Sequence, residues 1–179
     1  MKISQFFIFT LLISSNVFSA DSMKPGLWEN TINMKSASGK MEAAMNQMKE
    51  NMKQMPTDQR KMMEEMMAKQ GYGTKGNSTI VKSCVTKEQA ENLEIPQDKN
   101  DPCTREVISR SKSTVKVKFT CKNNGTGTGE FTLDSPTAFR IVADIAGDIN
   151  GQKEQINFNQ TGKWLSADCG NIRPHEIKK

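Results

Sequence analysis

Cys103 and Cys121 stand at equal distances on either side of Lys112, and the residues between them alternate. Residues 103–110 read Cys-Thr-Arg-Glu-Val-Ile-Ser-Arg, residues 114–121 read Thr-Val-Lys-Val-Lys-Phe-Thr-Cys, and Ser-Lys-Ser separates them. In a strand, successive side chains point to opposite faces, so Val115, Val117 and Phe119 share one face and Lys116 and Lys118 the other. Folding the segment on a three-residue loop sets Val107 against Val117, Arg105 against Phe119, Glu106 against Lys118 and Cys103 against Cys121. That register satisfies both faces at once, and a one-residue slip would spoil both. The sequence therefore predicts an antiparallel hairpin closed by a Cys103–Cys121 crosslink, with Cys84 left for Cys169. A rival pairing, Cys84–Cys103 with Cys121–Cys169, would instead bracket a short helix.

Disulfides require an oxidising compartment, and the start of the chain supplies an export signal. Met1-Lys2 is positive, Ile3 to Phe18 is mostly apolar, and small Ser19-Ala20 precede polar Asp21-Ser22. This is the layout of a secretory signal peptide over residues 1–20, cleaved near Ala20. The apolar run is too short, and too polar at Ser14-Ser15-Asn16, for a span of about 20 residues. Residues 21–179 then form a single periplasmic domain with no transmembrane segment after cleavage. An apolar content of 35% and an aromatic content of 6% over 179 residues exclude a membrane bundle and a large enzyme with a deep core.

Strands are expected at Leu27–Met34, Thr79–Val85, Thr128–Leu133, Thr137–Ile145, Lys153–Thr161 and Trp164–Cys169, besides the hairpin. Thr86 with Gln89 forms a capping box that opens a short helix ending before Pro96. Gln97–Pro102 reads as a polar loop, Asn124-Gly125 as a turn and Asn150-Gly151 as a hairpin turn. The tail after Gly170 reads as loose. Seven or so consecutive strands with short turns imply an α+β fold: a curved antiparallel meander, a partial barrel, with a helical insertion at 41–69 lying across one face or beside one end.

That insertion holds nine of the twelve methionines. Met41, Met45, Met48, Met52 and Met55 step by four and three, Met62 and Met66 keep the phase, and Met63 and Met67 widen the face. The spacing lays one thioether stripe along a helix that Pro56 breaks and Thr57-Asp58 restarts. Packing on the sheet is the plain reading. Methionine is flexible and polarisable, however, and suits surfaces that meet varied apolar partners. The stripe is thus a candidate face for an apolar ligand or a protein segment, acting as a lid or docking surface. Trp28 and Trp164 are core residues or flank that face. The alternative is Cu(I) held by Met45, Met48, Met52, Met62 and Met66, because thioethers are soft ligands.

Catalytic signals are sparse. His175 is the sole histidine, and no C-x-x-C is present, which argues against zinc sites and Ser/His/Asp triads. Glu29, Asp134 and Asp168 remain carboxylate candidates for a hydrolase, the least favoured class. Gly125-Thr126-Gly127-Thr128-Gly129 lacks the Lys-Ser/Thr ending of a phosphate loop. Lys112, Lys116, Lys118 and Lys122 make a basic hairpin face that reads as solvated edge protection, and nucleic acid is not an expected partner. No catalytic residue, cofactor or metal is assigned in the favoured reading.

Several segments together resemble the domain-of-unknown-function family 3617, small exported proteins of proteobacteria. They are Lys24-Pro25-Gly26-Leu27-Trp28-Glu29, the helix from Met55-Pro56 to Met67, Cys84-Val85-Thr86, Cys103, Phe119-Thr120-Cys121, Asp134-Ser135-Pro136, Gly162-Lys163-Trp164-Leu165 and Ala167-Asp168-Cys169-Gly170. The resemblance implies a periplasmic location and disulfides, and brings no activity or site residues. The sequence reading is a non-enzymatic binding or interaction module.

Overall fold

The computed structural model of the chain describes residues 22–93, 103–122, 125–149 and 152–174. The export signal at 1–20, the loop at 97–102, Asn124, Asn150-Gly151 and His175 lie outside the described residues. Eight strands form one antiparallel sheet: β1 (Gly26–Ser36), β2 (Tyr72–Lys75), β3 (Ser78–Val85), β4 (Cys103–Arg110), β5 (Thr114–Cys121), β6 (Thr126–Ser135), β7 (Ala138–Ile149) and β8 (Gln152–Ser166). Among the described residues three helices accompany them, α1 (Lys40–Gln54), α2 (Thr57–Lys69) and α3 (Lys87–Asn92). The spatial order is β2-β3-β1-β8-β7-β6-β5-β4, so β2 and β4 are the two edges and the sheet does not close.

The hairpin adopts the predicted register, pairing Cys103 with Cys121, Arg105 with Phe119, Glu106 with Lys118 and Val107 with Val117. Nearer the turn the ladder shifts between Val107 and Ser109, so Arg110 meets Val115. This β-bulge at Ile108 adds a residue to the edge strand and increases its local twist. Both expected crosslinks form, Cys103–Cys121 and Cys84–Cys169. The rival pairing is thereby excluded.

Two expectations need correction. The stretches Lys153–Thr161 and Trp164–Cys169 are expected as separate strands, but one strand, β8, runs through both with Gly162 inside it and ends at Ser166, short of Cys169. Gly162 is not a break. It lies opposite Phe139, whose ring occupies the space above it. The tail is also anchored as far as Pro174: Ile172 N donates to Cys169 O at 3.1 Å, and Pro174 bridges to Cys84.

α3 begins as the capping box predicts. Thr86 Oγ1 accepts from Gln89 N at 3.2 Å, and Gln89 Oε1 accepts from Thr86 N at 2.8 Å. The helix delivers Ala90 and Leu93 into a core cluster with Trp28, Val115, Leu133 and Phe139, which Met23, Val117 and Phe131 complete. Trp28 has no exposed surface, and its Nε1 donates to Lys24 O at 2.9 Å. Trp164 packs against the same cluster and donates Nε1 to Pro25 O at 3.0 Å.

Candidate functional site

The registers sort every strand into an inner and an outer face. Trp28, Asn30, Ile32 and Met34 of β1 share the inner face with Gln160 and Phe158 of β8, and with Phe139, Ile141, Ala143 and Ile145 of β7. Gly129 and Phe131 of β6, Val115, Val117 and Phe119 of β5, and Arg105 of β4 continue it. Along β1 the inner residues run from Trp28 at 0% exposure, through Asn30 at 4%, to Met34 at 37%. One end of the inner face is therefore closed by the core cluster, and the other opens to solvent.

Between these ends lies a cavity of about 540 Å³. Ile32, Val81, Val117, Phe131, Ile141 and Phe158 supply much of its wall, and Asn30, Ser83 and Gln160 supply polar groups. Residues from β3, next to one edge of the sheet, and from β4, the other edge, both line it, so the sheet is curled into a cup. The physical cause of the empty volume is local. Gly129 and Ala143 face each other at mid-height and contribute little bulk, while α3 is only six residues long and covers the closed end alone.

The polar groups are tied to one another. Asn30 lies between Val81 of β3 and Gly162 of β8, and its carboxamide bonds to groups of both neighbouring strands. Its Nδ2 donates to Val81 O and to Ser83 Oγ, both at 2.9 Å, and its Oδ1 accepts from Gln160 Nε2 at 2.9 Å. Of the charged lining residues, Glu130 turns to Lys116 Nζ at 2.9 Å, and that ammonium holds its carboxyl below the usual carboxylate range. Arg105 is likewise engaged.

The methionine helices leave the sheet at the open end. Gly39, at φ 71°, turns the chain from β1 into α1. Ser36 N and Oγ donate to the Glu42 carboxylate at 2.9 and 2.7 Å, Ser38 N donates to Glu154 at 3.1 Å, and Lys40 Nζ donates to Gln152. Hydrogen bonds from Ser36 hold the Glu42 carboxyl below its ordinary pKa, and those from Ser38 do the same for Glu154. Lys49 Nζ donates to Gly76 O and Asn77 Oδ1 in the β2–β3 turn, at 2.8 and 2.9 Å. Pro56 ends α1, and α2 restarts at Thr57 as expected.

The stripe is thus split over two helices, neither of which has a buried residue. Met41, Met45, Met52, Met55, Met63 and Met67 are half-buried, while Met48, Met62 and Met66 are 59%, 73% and 57% exposed. None of the nine lines the cavity. The carboxylates named as hydrolase candidates do not line it either. Asp134 pairs with Arg140, and Asp168 Oδ1 accepts from Gly170 N at 2.9 Å. Among the described residues, no group of three or more His, Cys, Asp or Glu is placed to hold a metal ion.

The cavity itself was missed in the sequence. Its signal was available in the alternation of Phe139, Ile141, Ala143 and Ile145 and of Trp28, Asn30 and Ile32. Nothing local says that, among the described residues, a helix covers only the closed end of the inner face.

Fold and site together define an α+β protein with an open, curled antiparallel sheet and a one-ended apolar interior. The chain belongs to the family described as Protein of unknown function (DUF3617), which matches residues 23–169. It is also similar to an uncharacterized protein of Pseudomonas putida described by its place in the lpd-3 5′ region. The two are 38% identical over 124 residues, 68% of this chain and 86% of that one. No solved structure matches the chain. Among the described residues no helix is long and apolar enough to cross a membrane.

Proposed function

We propose that this is a periplasmic, non-enzymatic binding protein that holds an apolar small molecule inside its cup, with the methionine face of α1 and α2 as a second contact surface near the mouth. The observation that carries this reading is the cavity of about 540 Å³ with its largely apolar wall. Ligand pockets typically enclose about 300–1,000 Å³ and combine apolar walls with a few placed polar groups. A binding role is supported over a catalytic one by the state of the charged lining residues, since Arg105 and Glu130 both hold partners already. Two formed disulfides support an oxidising compartment. Tethers at Ser36, Ser38, Lys40 and Lys49 support α1 being kept beside the mouth, where flexible thioethers adapt to varied apolar surfaces.

The test uses N-phenyl-1-naphthylamine, which brightens in apolar surroundings. The oxidised protein is expected to take it up. Ile32→Trp, which fills the cavity, is expected to weaken uptake about tenfold, equivalent to about 1.4 kcal/mol. Val142→Trp, on the outer face where Val142 is 46% exposed, is expected to leave uptake unchanged. Equal uptake by all three proteins, or none by the parent, overturns the reading.

A further inference from the structure

We infer that the cavity selects a single-chain amphiphile carrying one uncharged hydrogen-bonding group, which it seats on Gln160 and Ser83 beside Asn30. The inference deepens the proposed function and rests on the cavity being a ligand site.

The argument starts from hydrogen-bonding capacity. A glutamine side chain offers two donors and an acceptor with two lone pairs, and a serine hydroxyl offers one donor and two lone pairs. Gln160 uses one N–H on Asn30 Oδ1, and Ser83 Oγ accepts from Asn30 Nδ2. The remaining N–H and Oε1 of Gln160 and the proton of the Ser83 hydroxyl have no protein partner among the described residues. Asn30 is different. Its three bonds are made, it is 4% exposed, and it fixes the orientation of the other two. The result is a pre-oriented neutral donor–acceptor set on a wall that is otherwise mostly apolar.

A purely apolar occupant would cover these groups and leave them unsatisfied, which costs free energy. A ligand hydroxyl or carbonyl would satisfy them and gain orientation. An ionised headgroup fits less well. The patch is built from amide and hydroxyl dipoles with no cation among them, and burying a charge without a counter-charge costs far more than burying a neutral group. The chain of such a ligand would follow the apolar wall through Ile141, Phe131 and Val117.

Competition against N-phenyl-1-naphthylamine by 1-dodecanol, 1-chlorododecane and dodecanoate separates the cases. The parent protein is expected to bind 1-dodecanol about fivefold or more tightly than 1-chlorododecane, in keeping with a neutral hydrogen bond. Gln160→Leu combined with Ser83→Ala is expected to cancel that preference while keeping the 1-chlorododecane affinity, which also reports that the variant is folded. Equal affinities in the parent, or a preference that survives the double replacement, overturn the inference and leave the cavity reading intact. A preference for dodecanoate that survives Gln160→Leu but is lost in Arg105→Gln overturns it in favour of an anionic headgroup. Failure of the probe and of every competitor to bind overturns the cavity reading itself, and this inference with it.

Discussion

Two glycines show how single residues set the shape of the cup. A Cβ placed on Gly162 would lie 2.6 Å from Phe139 Cδ1, and one on Gly127 would lie 2.7 Å from Phe119 Cε2. In both places an aromatic ring on the neighbouring strand lies over the glycine and fills the space that a side chain would take. Gly162→Ala is expected to push the Phe139 ring off Trp28, whose centroid is 5.2 Å away, and off Phe131, at 5.1 Å. Overpacking of this kind costs about 1–3 kcal/mol, read as a lower urea midpoint with an unchanged slope. A midpoint equal to the parent's would show that the ring relocates freely. At this scale the sequence was legible where two constraints coincide, as at Cys103, Val107, Val117 and Cys121. It was not legible at Asn30 and Gln160. A polar residue in a strand reads as solvent-facing until it is noticed that Asn30 shares the face of Trp28 and Ile32.

At the scale of elements, α3, α1, α2 and most strands follow from local chemistry: a capping box, a methionine period and a proline break. β2 escaped because four residues without alternation carry no pattern, and β8 was read as two because glycine resembles a stop. The placement of α1 depends on groups that the period does not reveal. Glu42 joins α1 to the end of β1 through Ser36, and Glu154 joins β8 to the same turn through Ser38. Both carboxyls are held below the ordinary glutamate value by those hydrogen bonds. A depressed folded pKa stabilises the attached state above the unfolded value of about 4.3, and that contribution is lost as pH falls through the folded value. Hydrogen-exchange protection of the α1 amides, corrected for intrinsic rates, is therefore expected to be full near neutrality and to fall below about pH 4. Glu42→Gln is expected to lower protection at neutral pH and to flatten the fall. Protection independent of pH in the parent would show that Lys40 and Lys49 alone hold the helix.

At the scale of the whole molecule, the unclosed sheet places unusual weight on its crosslinks. Cys103–Cys121 staples the edge hairpin across 18 residues of sequence, whereas Cys84–Cys169 spans 85. Cys84 is opposite Leu27, on the outer face, and Cys169 lies just beyond β8, after Ala167 and Asp168. The longer crosslink therefore passes from β3 to the end of β8 across β1, the strand that carries Trp28, Asn30 and Ile32. It also anchors the tail, whose Ile172 comes within 3.0 Å of the Cβ position of Gly71 at the foot of α2. Chain-entropy reasoning assigns about 3 kcal/mol to the short crosslink and about 4–5 kcal/mol to the long one. The paired replacement Cys84→Ala with Cys169→Ala is thus expected to lower the urea midpoint more than Cys103→Ala with Cys121→Ala. It is also expected to weaken probe uptake, because β3 supplies Val81 and Ser83 to the cavity wall. The short crosslink closes only the outermost hairpin, so its loss should leave the β3–β1–β8 wall in register. If the Cys103–Cys121 pair proves the more costly in both stability and uptake, the cup is held by its edge and not by the strap across β1. The ligand site would then have to be assigned to the β4–β5 side, around Arg105 and Phe119.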